Sequence, residues 1–338
     1  MIRSSGRWGY GNRIVMMTEL TYIWQYAAVF MLMLLAELLY FKLAVKYSII
    51  DKPHHQSSHT GVAIRGGGIV FFLTFLLWSV VNGFPFIWGL LGLTVLATVS
   101  FIDDIRSVSP IIRLACQFIA ILLMFYHSGL IQTAPHVIFV LSVACVGMMN
   151  ICNFMDGING MTGGYSLVVM LALLYVNMNV FRFTETSFLL YVIMAILVFN
   201  IFNFRRHAKC FAGDVGSLSI GFILVYLVLR LALNGHSMSW MIFLVVYGVD
   251  GGLTILHRIL LRENLMKPHK KHAYQIMANE LKMPHLQVSL IYMGIQAVCC
   301  AWFIAFPNYY TFFAQIIILS AAYLLFMKKY YHLHVKNR

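Results

Sequence analysis

The sequence predicts an all-α polytopic integral membrane protein with about eleven transmembrane helices. Of its 338 residues, 61% are apolar and only 10% are charged, whereas soluble globular proteins carry about 25% charged residues. A transmembrane helix needs about 20 mainly apolar residues, and about eleven apolar runs of suitable length follow one another along the chain. All seven prolines fall between these runs, where residues that break helices are expected.

The runs define a single transmembrane domain at residues 21–328, between an N-terminal tail at 1–20 and a basic C-terminal tail at 329–338. Six cysteines lie in or near the runs without a CxxC pair, which favours buried thiols over disulfides or a metal site. Because no soluble domain is present, chemistry is expected at the membrane surface. The runs lie near residues 21–45, 67–82, 86–102, 111–128, 136–152, 160–181, 186–203, 214–233, 238–258, 286–306 and 309–328.

Lysine and arginine are concentrated in alternate loops, and this bias predicts the orientation of the chain. The loops after runs 1, 3, 5, 7 and 9, together with the C-terminal tail, contain 18 of the 24 basic residues, whereas the opposite loops contain only Arg182. We therefore expect the N-terminus outside and the C-terminus in the cytoplasm. Three arginines of the N-terminal tail would then lie outside, a conflict that translation from Met16 or Met17 would remove.

The charges also indicate a class of function. The net charge of +13 is better explained by topology than by nucleic-acid binding, because the chain is too hydrophobic for the latter. Seven of the eleven acidic residues fall in the cytoplasmic loops, among amides and glycines. Acidic residues contribute little to topology, so their presence on one face favours a catalytic surface there.

The first cluster extends from Asp51 to His59 and continues through Arg65 into three glycines at 66–68. Its histidines, Lys52 and Arg65 could bind phosphate, and the glycines would let backbone N–H groups approach it. An ordinary polar loop with a flexible glycine hinge is the alternative.

The second cluster is Asp103 and Asp104, at the cytoplasmic end of the third run. Two adjacent carboxylates at the membrane edge repel each other, which favours a bound cation or a role in proton transfer. The alternative is an acidic pair that ends a helix and is neutralised by Arg106.

The third cluster follows the fifth run. A helix that extends past this run would place Asn150, Asn153 and Asp156 on one face, and Asn159 follows three residues later. Amide and carboxylate oxygens suit a hard cation such as Mg²⁺ and its phosphate ligands, although Asn, Asp and Gly also build ordinary turns.

The last two clusters are Asp214, at the start of the eighth run, and His269 with His272, in the most basic loop. Asp214 is either a helix N-cap or a metal ligand. The two histidines would share a helical face and could bind a diphosphate, or the loop is simply a positively charged cytoplasmic loop. Two histidines are too few for a zinc site.

Together, the five clusters resemble the polyprenyl-phosphate N-acetylhexosamine-1-phosphate transferases, also called the glycosyltransferase 4 or MraY/WecA-like family. The resemblance implies transfer of a sugar-1-phosphate from a UDP-N-acetylamino sugar to undecaprenyl phosphate in the cell inner membrane, with release of UMP. It implies Mg²⁺, or alternatively Mn²⁺, as cofactor and leaves a homodimer open. It extends over nearly the whole chain and rests on Asp51-x-Pro53, Asp103-Asp104 with Pro110, Asn150–Gly160, Gly213–Ser217 and the histidine loop.

The sequence departs from the family pattern at three places. Gln56 stands where an arginine is common, Asn159 replaces a frequent aspartate, and the late loop has His269-x-x-His272-x-x-Gln275 in place of three consecutive histidines. The histidine spacing argues against the enzyme of the peptidoglycan precursor. The stretch Val249-Asp250-Gly-Gly-Leu-Thr254-x-x-x-Arg258 more closely resembles transferases that initiate O-antigen, capsule or related glycans.

A secondary transporter is the alternative class of protein, because Asp250 and Glu37 lie within spans. A transporter, however, would place most polar groups near the middle of the bilayer.

The clusters and the resemblance suggest a role for each polar residue. We assign Asp103, Asp104, Asp156 and His272 to catalysis, Asp51, His59, Arg65, Asn150, Asn159 and His269 to substrate binding, and Asp214 and Asn153 to the metal.

Overall fold

The computed structural model describes the backbone of residues 7–51, 63–264 and 269–336, and the side chains of 24–51, 63–264 and 269–332. The described chain is almost entirely helical, which confirms the all-α prediction. Its helices are α1 (Arg7–Lys46), α2 (Ile69–Val81), α3 (Ile87–Ile105), α4 (Pro110–His127), α5 (Pro135–Phe154), α6 (Met161–Asn179), α7 (Thr186–Asn203), α8 (Gly213–Asn234), α9 (Val245–Leu260), α10 (Ala273–Gln275), α11 (His285–Ala305) and α12 (Tyr309–Lys336).

Three shorter segments complete the helical structure. A π-helical turn at Ile276–Glu280 continues α10, and 3-10 helices occupy Leu130–Gln132 and Met238–Leu244. The second of these runs directly into α9, so the two form one apolar segment of 23 residues. Helix α1 begins inside the segment expected to be the N-terminal tail, and α12 continues into the basic tail.

Within the described ranges, ten helical segments are long and apolar enough to cross a membrane. The remaining predicted run, at 67–82, forms α2, whose 13 residues extend about 20 Å at 1.5 Å per residue. A hydrocarbon core is about 30 Å thick, so α2 is too short to span it alone. The multi-pass architecture is confirmed, while the orientation of the termini stays a prediction.

Helix α8 lies at the centre of the bundle. Its spanning segment is 94% buried, and it packs against α2, α3, α5 and α6. A helix that is apolar on all sides is expected in such an interior position. In lipid, close contact between small residues contributes strongly to helix association, and a Cβ atom placed on Gly68 would lie 2.4 Å from the Cα atom of Gly216. The start of α8 is thereby held against the segment before α2.

A small sheet brings the loop after α1 to the same place. Strands β1 (Ile50–Asp51) and β2 (Ala63–Ile64) pair in antiparallel fashion, and Ile64 forms a parallel bridge with Cys210, shortly before α8.

All six cysteines are free and five of them are buried, which confirms the expectation of buried thiols.

The glycines that follow β2 bind the protein's own backbone. The N–H groups of Gly67 and Gly68 donate to the carbonyl oxygens of Phe211 (2.9 Å) and Ala212 (3.1 Å). These two groups are therefore not available to a phosphate, contrary to the interpretation from sequence. The segment is not a flexible hinge either, because it is packed tightly against the start of α8.

Candidate active site

The polar clusters of the sequence meet around the first turn of α8. Side chains from the end of α3, the start of α4, the end of α5 and the segment before α2 contact this turn or each other. The rings of His269 and His272, in the segment before α10, contact Phe154 at the end of α5. Motifs that are far apart in the chain thus form one site, as the sequence predicted from their presence on one side of the membrane.

Asp104 caps the start of α8. Its Oδ1 atom accepts hydrogen bonds from Arg65 Nε (2.8 Å) and the backbone N–H of Asp214 (3.0 Å), and its Oδ2 atom accepts from the N–H of Val215 (3.0 Å). The first N–H groups of a helix lack partners within it, and its positive end favours a carboxylate. Asp104 is only 6% exposed, so it positions Arg65 and Asp214 rather than facing solvent.

Asp214 is the second residue of α8 and does not cap it. The N-cap position is Ala212, which makes no capping bond through its side chain. Asp104 supplies the cap from α3, so the capping explanation of Asp214 is wrong. The Asp214 side chain is 19% exposed and contacts Arg113, which leaves its carboxylate at the surface of the site.

Arg113 joins two of the acids, and sequence reasoning missed it. Its Nη1 atom donates to Asp103 Oδ2 and, over 3.0 Å, to Asp214 Oδ2. The expected partner of the acidic pair, Arg106, is exposed instead. Pro110 was a usable signal, because proline favours the first position of a helix and so places Arg113 at the end of the first turn of α4.

Helix α5 ends at Phe154, two residues before Asp156. The continuous helix that was expected to align Asn150, Asn153 and Asp156 is therefore not formed. The chain turns here, and Gly160 adopts a φ of +79° before α6 begins, a conformation that favours glycine. Asp156 reaches the site from a turn and not from a helical face.

Asp156 lies in an environment that favours its protonated form. Burial raises the pKa of Asp156 to about 7, and the negative charges of Asp214 and Asp104 act in the same direction, against a hydrogen bond from Thr162. That bond joins Thr162 Oγ1 to Asp156 Oδ1 over 2.6 Å. The carboxyl group can therefore gain or lose a proton near neutral pH.

The three asparagines assigned to ligands contact other parts of the protein. Asn150 exchanges two hydrogen bonds with Gln117 of α4 (2.6 and 3.2 Å), and Asn153 Oδ1 accepts from Ser217 Oγ of α8 at 2.5 Å. Asn159 Nδ2 donates to two carbonyl oxygens of the segment after α7. In this geometry the amides hold the walls of the site together.

Arg65 provides a cation beside the acids. Burial lowers the pKa of its guanidinium group, but the carboxylates of Asp104 and Asp214 more than offset this, so the pKa is raised above its ordinary value. Asp51, at the end of β1, adds to the same effect. His59 lies outside the described residues.

The late loop brings its histidines to the end of α5. The ring centroids of His269 and His272 are 4.9 Å apart, although this segment is not helical. The Tyr274 hydroxyl donates to the carbonyl oxygen of Phe154 over 2.8 Å. His272 Nδ1 lies 3.2 Å from Oδ1 of Asp250, the acid whose depth had suggested a transporter. Tyr274 and Asp250 are further site residues that sequence reasoning missed.

Two ring nitrogens of this loop are available to a ligand. His269 Nδ1 and His272 Nε2 are buried and have no partner within the described part of the chain, and buried polar atoms normally have one. Burial, followed by the positive charges of His272 and Arg258, lowers the pKa of His269 to about 3. His269 is therefore neutral at physiological pH.

The carboxylates fit a metal that arrives with a substrate better than a metal held by protein alone. Among the described residues, no group of three or more His, Cys, Asp or Glu side chains is placed to hold an ion. Asp103 and Asp214 share one nitrogen of Arg113, so their oxygens face a common point. Mg²⁺ is usually bound by one or two carboxylates plus substrate phosphates and water. Asn153 fits less well, because its Oδ1 atom already accepts from Ser217.

The sequence matches the model of glycosyl transferase family 4 over residues 86–232. This stretch begins just before α3 and ends within α8. It contains Asp103, Asp104, Asp156 and Asp214, and it ends before the histidine loop.

Curated relatives extend this similarity. A probable undecaprenyl-phosphate N-acetylglucosaminyl 1-phosphate transferase of Bacillus subtilis (strain 168) is 26% identical over 274 residues, which cover 75% of this chain and 76% of that protein. An undecaprenyl-phosphate alpha-N-acetylglucosaminyl 1-phosphate transferase of Yersinia pestis is 28% identical over 65% of this chain and 64% of its own length.

A phospho-N-acetylmuramoyl-pentapeptide-transferase of Dictyoglomus thermophilum is 28% identical over 50% of this chain and 58% of its own length. These matches give no support to the transporter alternative. The match over residues 86–232 and the named relatives support assignment to the MraY/WecA-like family of membrane transferases.

Proposed function

We propose that the protein transfers an N-acetylamino sugar 1-phosphate from a UDP-sugar to undecaprenyl phosphate. An oxygen of the lipid phosphate bonds to the sugar-bearing phosphorus, the bond from that phosphorus to the bridging oxygen breaks, and UMP leaves with that oxygen. The observation that carries the proposal is the meeting of Asp103, Asp104, Asp156 and Asp214 at the start of α8. The names of the relatives support the choice of substrates.

The charges of the site suit two anionic substrates. Donor diphosphate and lipid phosphate repel each other, so their reaction depends on cations that offset this repulsion. Arg65 and Arg113 lie next to the acids, and the net charge of +13 attracts anions to the surface where the basic loops are expected. We place this surface at the cytoplasmic face of the inner membrane.

Mg²⁺ completes the proposed site. Asp214, with Asp103 or Asp156, would hold the ion against the donor phosphates, and the ion would neutralise charge on the transferred group. Removing the Asp214 carboxylate is expected to reduce turnover about a hundredfold, or ~3 kcal/mol of transition-state stabilisation.

The remaining side chains have separate proposed roles. Asp104 positions Arg65 and the start of α8, because its oxygens already accept bonds from both. Asp156, with a pKa near 7, is suited to take a proton from the lipid phosphate. His269 and His272 present their unpartnered nitrogens to a phosphate.

The sugar is proposed to be N-acetylglucosamine, as in the names of the first two relatives, with the 6-deoxy sugars FucNAc and QuiNAc as alternatives. The experiment is UMP release by the purified protein in lipid, measured with a panel of UDP-sugars. Release should require the UDP-sugar, undecaprenyl phosphate and Mg²⁺ together. Release that is independent of undecaprenyl phosphate, or no release with any UDP-sugar, would contradict the proposal.

A further inference from the structure

The histidine loop is attached to the bundle through one buried carboxylate. Asp250 of α9 is 3% exposed. Its Oδ1 atom lies 3.2 Å from His272 Nδ1 and accepts from the N–H of Ala273 over 3.2 Å, while its Oδ2 atom accepts from the Tyr292 hydroxyl over 2.5 Å. Thr254 Oγ1 also donates to Oδ1, over 3.2 Å. Asp250 thus binds both the ring of His272 and the backbone that follows it.

These contacts fix the state of the His272 ring. The hydrogen bond at one imidazole nitrogen determines which nitrogen carries the proton, and a carboxylate at Nδ1 keeps the proton there. Nε2 can then accept a hydrogen bond from a phosphate hydroxyl, and it donates to a phosphate oxygen when the ring carries both protons. This nitrogen is buried and has no partner within the described residues, although buried polar atoms normally have one.

The His272 ring lies where the loop meets the rest of the site. The His272 ring packs beside Phe154, with 6.4 Å between centroids, and beside His269. Tyr274, two residues later, donates to the carbonyl oxygen of Phe154, and the turn with Asp156 follows directly. A phosphate bound near Asp156 would therefore be adjacent to this loop.

We propose that Asp250 is a positioning residue for the transfer reaction: through His272 Nδ1 it orients the ring so that Nε2 contacts a substrate phosphate. The inference rests on the proposed function. Asp250 does not itself touch substrate, because both of its oxygens accept bonds from the protein. Its place inside a span is explained by this contact with the loop and requires no transport pathway.

The test compares Asp250→Asn, His272→Gln and the double variant in the UMP-release assay with saturating lipid phosphate. Changing the partner that orients a metal-ligating histidine typically costs about 10–100-fold in affinity or activity, and we expect a loss of similar size when Asp250→Asn removes the partner that orients His272. The double variant should be no worse than His272→Gln, because Asp250 acts only through that ring. Thr254→Val is the matched control, since it removes another bond to the same carboxylate, and it should keep near-normal kcat/KM.

Losses that multiply in the double variant would overturn the inference, and so would a loss in Thr254→Val as large as that in Asp250→Asn. If Asp250→Asn does not fold, Tyr292→Phe takes its place, because Tyr292 makes the short bond that holds the carboxylate (2.5 Å), whereas the Thr254 bond is long (3.2 Å) and should not be needed to position it. This variant should lose activity in the wild-type background but not in His272→Gln. A wild-type protein that releases no UMP would contradict the proposed function and this inference with it, whereas an active wild type with multiplicative losses would contradict this inference alone.

Discussion

The two ends of α8 hold charge in different ways. At its start, Asp214 contacts Arg113 of another helix in a group of several acids. At its end, the guanidinium carbon of Arg230 lies 5.3 Å from the ring centroid of Phe86 and 5.9 Å from that of Tyr226. Arg230 also donates to the Tyr226 hydroxyl over 3.2 Å.

This difference shows which end is suited to a reaction. Arg230 lies near the C-terminal end of α8 and over two aromatic rings, and both features stabilise a cation. Its charge is therefore stabilised by the protein itself, without a ligand. Carboxylates that are close together repel each other. The pKa of Asp156 is raised mainly by burial, and the negative charges of Asp214 and Asp104 add to this effect. A cation that arrives with a substrate would therefore be stabilised at the start of α8 and not at its end.

Apart from Asp214→Asn, the largest effect is expected from Asp103→Asn. Asp103 shares Arg113 with Asp214, so the substitution removes charge where the substrates are proposed to meet. We expect about a hundredfold loss of turnover, or ~3 kcal/mol. The thermal midpoint should fall less than in Asp104→Ala, because the Asn oxygen can still accept from the Val108 N–H. Turnover within a few-fold of wild type would show that Asp103 lies outside the reaction site.

Asp104→Ala should act on stability first, although Asp104 is the adjacent residue. It leaves two backbone N–H groups of α8 and the Arg65 side chain without their acceptor. Each buried donor left unpaired costs about 1–3 kcal/mol. The measurement is the thermal midpoint in detergent, with Asp103→Asn as the matched loss of one acid. Equal midpoints for the two variants would contradict the assignment of Asp104 as the cap.

The pH dependence of Asp156 gives a third test. Its pKa is about 7 in the folded protein and near 4 when unfolded, so between these values the folded state holds a proton that the unfolded state releases. Stability should therefore fall as pH rises from about 4 to 7, while turnover should rise through pH 7 as the carboxylate forms. Asp156→Asn should lose both trends. The difference in thermal midpoint between wild type and this variant, measured without metal at pH 5 and pH 8, isolates the effect, and a constant difference would contradict it.

The smallest effect is expected at the other end of α8. Arg230→Gln removes the contacts with Phe86 and Tyr226, which are worth about 0.5–2 kcal/mol, and should lower the thermal midpoint slightly. Turnover per folded molecule should stay within about threefold of wild type. A loss as large as that of Asp103→Asn would remove the distinction between the two ends.

The sequence predicted the elements of the fold and the proximity of three of its acids better than the contacts that these acids make. Hydropathy gave the helices, because a spanning helix must be apolar over a fixed length, and motifs on one side of the membrane identified Asp104, Asp156 and Asp214 as neighbours. Which acid caps α8 could not be inferred, because Asp104 reaches the helix from elsewhere in the chain. The same holds for Arg113 and Asp250, whose partners depend on how α4 and α9 pack.

The most direct test of the account is UMP release from a UDP-N-acetylamino sugar by wild type and Asp214→Asn, in lipid containing undecaprenyl phosphate and Mg²⁺. The account predicts lipid-dependent release by the wild type and a reduction of about a hundredfold in the variant, with both proteins equally folded. Near-normal Mg²⁺-dependent turnover in Asp214→Asn would contradict the claim that the start of α8 is the reaction site.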